Sequence, residues 1–183
     1  MISNSLYPKY PYFIALIRLD EPLPLYYDDN VDSIATPVCL PWEPNSVGRN
    51  LTQGSVLTVT GWSRISKDPV QYSHFNNPGS DILQKSTLNL SSEEKCINQK
   101  MYKDEGIEFD FHLQFCARAQ NCWKYSGDMG GPVVYSPNPN ELHHQVGIVS
   151  FGAKMRIPGV FTKITPHLDW IEKVLQENEI HME

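Results

Sequence analysis

Polar and apolar residues alternate most clearly at 55–62, SVLTVTGW, where β-branched and aromatic residues recur at every second position. That period sends alternate side chains to opposite faces of an extended chain and predicts a β-strand. Phe13–Leu19 alternates more loosely and ends at DEPLP (20–24), a strand running into a turn. Ile82–Leu90, Pro132–Tyr135, Gln145–Phe151 and Gly159–Ile164 read as further short strands, whereas 64–80 is a loop by composition. Two stretches have a different period. Ser91 and Ser92 stand ahead of Glu93, Glu94 and Lys95, an N-cap followed by good helix formers. Pro166–Glu179 begins with proline and places Leu168, Ile171, Val174 and Leu175 on one face, the pattern of an amphipathic helix. Short, regularly spaced strands closed by one terminal helix predict an all-β antiparallel barrel or sandwich.

Composition narrows this picture without changing it. The chain has 183 residues, enough for one domain with a sizeable core or two small subdomains, and its 40% hydrophobic and 20% charged residues are ordinary for a globular protein. A formal net charge of −6 argues against nucleic acid and acidic membrane surfaces as partners. Residues 1–12 hold no apolar core of a signal peptide, and the apolar run Phe13–Ile17 is too short to span a bilayer. Cys39, Cys96, Cys116 and Cys122 lack the paired spacing of a zinc site; their even number is compatible with disulfides and an oxidising compartment. Asn50 and Asn89 begin N-x-[ST] sequons and are candidate glycosylation sites, though two sequons are close to what this composition produces by chance.

The densest punctuation lies at 125–134, YSGDMGGPVV. Glycines packed this closely indicate backbone that must approach something. Yet the central residue is Met129, a thioether without a proton to give.

Six segments in order, IALIRLDEPL (14–23), TPVCLP (36–41), VTGW (59–62), GDMGGPVV (127–134), VGIVSFG (146–152) and PGVFTKITPHLDWI (158–171), carry a resemblance to the trypsin-like (S1) serine proteases. The chain more closely resembles the clip-domain serine protease homologues of arthropods. The resemblance implies an all-β, trypsin-like double antiparallel β-barrel with a C-terminal helix and the active site between the barrels. It divides the chain into a remnant of the first barrel and the interbarrel connection (1–50), a C-terminal barrel (51–165) and the C-terminal helix and tail (166–183). The first barrel would be incomplete, because the chain starts just ahead of the strand carrying Phe13. Either Met1 is an internal methionine of a longer secreted protein, the favoured reading, or a partner covers the open face.

In that family a serine hydroxyl attacks a carbonyl, a histidine takes its proton, and an aspartate orients the histidine. The resemblance puts Met129 at the nucleophile position and Phe13 at that of the aspartate. None of His74, His112, His143, His144, His167 and His181 lies in the family's His-Cys context. The family mechanism is therefore not expected. Gly127 and the Met129 N–H match the oxyanion-hole positions. Asp128 matches the carboxylate that pairs with the new N-terminal amine of an activated enzyme; the alternative reading, and the favoured one, is a buried carboxylate satisfied by local backbone N–H groups. Trp123 falls at the floor of the substrate pocket, whose wall would be Ser150, Phe151 and Gly152. Tyr125 and the region of Met155 replace two bridging cysteines, and the segment AKMRI (153–157) is shorter than usual.

The same resemblance implies a Cys96–Cys116 disulfide and makes Cys39 the tether to an N-terminal extension or another chain. Cys122 is left free, or paired with Cys39 in a rearranged fold. His143 and His144 are expected in a solvated hairpin loop rather than at a metal, and PLYYDDNVDS (24–33) in a solvated connection. The function implied is that of a secreted, non-catalytic homologue serving as binding cofactor, decoy or adaptor in an extracellular proteolytic or immune cascade. Its partner would be an active protease, a zymogen or a cascade substrate, with no cofactor, metal, nucleic acid or membrane involved. The alternatives are a hydrolase with replaced chemistry, using Ser126 or Cys122, and a truncated product of an S1 protease gene.

Overall fold

The computed structural model describes residues 2–3, 14–21, 23, 37–63, 79–119, 127–138, 140–152 and 157–178. Two short strands, β1 (Ile2–Ser3) and β2 (Ala15–Leu16), pair antiparallel as a separate ribbon. The remaining strands, β3 (Val56–Gly61), β4 (Gln84–Leu90), β5 (Gln114–Ala119), β6 (Pro132–Tyr135), β7 (His144–Phe151) and β8 (Gly159–Lys163), close into one antiparallel barrel in the order β3-β4-β5-β8-β7-β6. Closure comes from β6 pairing with β3 through Thr58↔Val134 and Val59↔Val133. Every barrel strand thus has two neighbours, and no edge is left to recruit foreign strands.

The alternation at 55–62 becomes the barrel interior. Leu57 and Val59 are wholly buried while Val56 is 49% exposed. Leu88, Phe115, Ala117, Val133, Val146, Val149 and Phe161 complete this core, with the Phe115 and Phe161 rings stacked at 5.2 Å. Gly147 lets that stack form: a Cβ there would come within 2.6 Å of the Phe115 ring.

Strand β5 is not among the elements the pattern predicts. Gln114, Phe115, Cys116 and Ala117 are all buried in succession, so no polar face interrupts them. Phe115 and Ala117 face the barrel core, whereas Cys116 packs with Cys96, Tyr102 and Val160 beneath a layer of helices. Burial on both faces erases the period of two.

The segment after Ser92 forms two helices rather than one, α1 (Glu93–Ile97) and α2 (Lys100–Asp104). Ser92 Oγ caps the first by accepting from the Lys95 N–H at 3.4 Å. The chain then breaks at Asn98 and Gln99, the latter extended. At the other end Pro166 starts a 3₁₀ turn, Thr165–His167, and α3 (Leu168–Glu177) follows. The expected face is the buried one: Leu168, Ile171 and Val174 are inside, and Leu168 and Ile171 pack with Ile14 and Ile164 in a second core. Each fully buried aliphatic side chain contributes about 1.5–3 kcal/mol by transfer from water.

His167 lies in the turn into α3, 4% exposed, with its Nε2 bound to no partner among the described residues. Desolvation lowers its pKa. Below pH ~6.5 the unfolded chain gains a proton that the folded one resists, so stability is full above that pH and declines as pH falls. We expect a loss of at most about 1.4 kcal/mol per pH unit from this group. Urea midpoints measured between pH 7.5 and 5.5 should show that decline, and His167→Phe should flatten it; an unchanged slope in the variant would remove His167 as its source.

Candidate functional site

Strand β3 ends at Gly61, and the chain turns out of the barrel through Trp62 and Ser63. Their two N–H groups both donate to Asp128 Oδ1 at 3.0 Å, and the Ser63 hydroxyl donates to Oδ2. The Asp128 side chain, 6% exposed, is therefore held by the end of β3. Two of its donors are N–H groups 66 and 65 residues away in sequence. Gly61 is what admits the carboxylate, since a Cβ at this position would overlap the Asp128 carboxyl atoms. A carboxylate held by several N–H and O–H donors is compensated for its loss of water.

The turn carrying Asp128 is fixed from behind by β7. Gly130 N–H donates to Val149 O, Val149 N–H to Gly131 O, and Gly131 N–H to Asp128 O, each at 2.9 Å. Gly127 and Gly130 take φ of 100° and 87°, a left-handed region in which a side chain is strained. Met129 sits at the tip between them, 66% exposed. Among the described residues, neither the Gly127 N–H nor the Met129 N–H donates a hydrogen bond. The turn thus presents two backbone donors beside an exposed thioether.

One residue beyond Val149, Ser150 is buried at 3% exposure, followed by half-buried Phe151 and Gly152. Gly152 has φ of 92°, and a Cβ on it would overlap the Tyr102 hydroxyl. That hydroxyl donates to Pro158 O at 2.6 Å, and the Tyr102 ring meets Phe151 edge-on at 6.3 Å. Tyr102, 1% exposed, therefore backs the Ser150–Gly152 segment. Neither Tyr102 nor Ser63 is picked out by the motifs. VTGW ends one residue short of Ser63, and Tyr102 lies in a segment that reads only as helix.

Phe13, Trp123, Cys122, Tyr125, Ser126 and Met155 lie outside the described residues. Cys96 and Cys116 form a disulfide with Cα atoms 6.2 Å apart, as the resemblance implies. Cys39 carries a free thiol and is half-buried. Its backbone accepts from Gln145 N–H at 2.8 Å and donates to His143 O at 3.2 Å, laying residues around Cys39 alongside the start of β7. That contact corrects the expectation for His144, which is the half-buried first residue of β7, its Nδ1 3.5 Å from Ser46 Oγ; His143 is exposed. Among the described residues no three His, Cys, Asp or Glu side chains gather as metal ligands. Asn50 is exposed, and Asn89 is half-buried within β4 opposite Val56 and Arg118.

A closed six-stranded antiparallel barrel with a C-terminal helix, and a glycine turn tied to the end of a barrel strand by one carboxylate, define a trypsin-like architecture. The trypsin family model matches residues 2–171, and the chain belongs to that family. It is 28% identical over 171 residues to the complement C1s subcomponent of Rattus norvegicus, an alignment covering 90% of this chain and 22% of that protein. The chain thus spans about a fifth of the length of this curated relative.

Proposed function

We propose that this trypsin-family domain is non-catalytic and acts by binding another protein, an active protease, its zymogen or a cascade substrate, in an extracellular proteolytic cascade. The observation that carries this reading is the turn at Met129. Among the described residues the backbone donors of Gly127 and Met129 meet no acceptor, as an oxyanion site would need, but the side chain presented beside them is a thioether. A thioether has no proton for a base to remove and forms no acyl intermediate. Phe13 at the family's aspartate position removes the group that would orient a histidine. Asp128 is supplied with three donors by Trp62 and Ser63, so the turn is held in shape without a nucleophile to serve. Kinship with the arthropod clip-domain homologues is part of the same reading. So is secretion, which the Cys96–Cys116 disulfide supports because such bonds persist in oxidising compartments.

The test is hydrolysis of peptide amide and ester substrates, with labelling by a fluorophosphonate, by the chain and by Met129→Ser. We expect no turnover and no labelling from either, since a hydroxyl alone lacks its base and the orienting carboxylate. Fold-dependent labelling of the unaltered chain, or amide turnover by the variant, would overturn the reading. Binding to an active protease without hydrolysis is its positive counterpart.

A further inference from the structure

The β3–β4 register, Gly61↔Gln84 at one end and Val56↔Asn89 at the other, gives the barrel two distinct mouths. Asp128 occupies the Gly61 end. At the other end a cleft of about 220 Å³ opens between the turn Val47–Arg49, the start of α1 and the ends of β5 and β8.

Its lining is divided. Leu90, Phe115 and Val146 supply an apolar wall, while Gln114 and Lys163 are among its polar residues. Gln114 is wholly buried; its Oε1 accepts from the Asp110 N–H at 3.3 Å, and its Nε2 has no partner among the described residues. Lys163 is half-buried, and its Nζ donates to Phe111 O, leaving further ammonium protons without a protein acceptor in any described hydrogen bond. Desolvation lowers its pKa against the opposing fields of Glu93 and Asp110, so the ammonium is short of solvation. Arg49 also lines the cleft, its guanidinium fixed by Pro41 O and Trp42 O, each at 2.9 Å, and Glu93 is the acidic group in the lining. Asp110 also acts on Lys163, so two cations and two carboxylates balance here, and Lys163 is the cation whose head group is not fully bonded.

We propose that this cleft binds a small organic carboxylate with an apolar body, the carboxylate taken by Lys163 Nζ and the body lying against Leu90, Phe115 and Val146. The site is separate from the Met129 turn and independent of whether the chain is catalytic.

Hexanoate is a probe of matching size and chemistry, and hexanamide is its neutral counterpart. Titration of each into the ¹⁵N-labelled chain, followed by amide NMR, should give saturable shifts at Ser91, Gln114 and Lys163 with hexanoate. Hexanamide should bind about tenfold more weakly, the equivalent of one charge-assisted hydrogen bond. Lys163→Met should weaken hexanoate by about tenfold or more and leave hexanamide unchanged. Because that variant also removes the bond to Phe111 O, the exposed Glu93→Gln is the second: it should tighten hexanoate roughly two- to threefold by removing the opposing charge. Absence of saturable shifts, equal affinity for the two probes, or hexanoate affinity indifferent to Glu93→Gln would overturn the proposal.

Discussion

Asp128→Ala should lower the stability of the chain by about 3 kcal/mol, measured as a shift in urea unfolding. The variant removes the acceptor of the Trp62 and Ser63 N–H groups and of the Ser63 hydroxyl, in a site where Asp128 and Ser63 are 6% and 4% exposed. Hydrogen bonds to a charged group are each worth about 1.5–3 kcal/mol, and orphaned buried donors add their own desolvation cost. Part of the loss is offset because the buried charge goes with them. Asp128→Asn keeps one oxygen for the paired N–H groups and should lose about half as much. Gly61→Ala should approach the alanine variant from the other side, by forcing the carboxylate out of its place. Exposed Asp104→Ala on α2 serves as control and should stay within ~0.5 kcal/mol. A loss below about 1 kcal/mol for Asp128→Ala would mean that β3 does not hold this turn. For a domain of marginal stability, about 5–15 kcal/mol, the predicted effect is a large share of the total.

How much of this was legible depends on whether a residue's partners lie near it in sequence. Leu57 and Val59 declare their face because Thr58 and Thr60 alternate with them, so β3 is readable from eight residues. The face of α3 is readable for the same reason at period 3.6. Gln114 to Ala117 show no period because the barrel core covers one face and the α1–α2 layer the other. A strand covered on both sides gives up its pattern. The break between α1 and α2 was equally hidden, since capping at Ser92 fixes where a helix starts but not where it stops. At the site, the glycines of GDMGGPVV pointed to backbone that must approach something, and two of them, Gly127 and Gly130, take left-handed angles. The Trp62 and Ser63 donors to Asp128 could not be read from that run, because they lie across the barrel seam where β6 meets β3. In retrospect the glycine of VTGW was the available signal. A glycine inside a strand marks a close approach, here of a carboxylate.

The Cys96–Cys116 bridge should contribute about as much as Asp128, through a different state of the chain. It closes a loop with a sequence separation of 20, and cross-linking a loop of that size restricts the unfolded ensemble by about 3 kcal/mol. Both half-cystines are buried, 0% and 2% exposed, against Tyr102 and Val160. Substituting both by alanine should therefore lower the urea midpoint by an equivalent of about 3 kcal/mol while leaving the barrel strands paired. The consequence should be uneven. The loop holds the end of α1 and all of α2, and α2 carries Tyr102, whose hydroxyl is tied to Pro158 O and set against Gly152. Native-state hydrogen exchange should then show amides of 93–104 losing protection ahead of β3 and β4, with Gly152 and its neighbours following. If protection falls evenly across the barrel, or the midpoint moves by less than about 1 kcal/mol, the bridge is not what keeps Tyr102 behind the Ser150–Gly152 segment. If the order is as expected, the segment that flanks Met129 owes its shape to a covalent link on the far side of β5. A domain that presents this surface to a partner would then lose binding on reduction before it loses its fold.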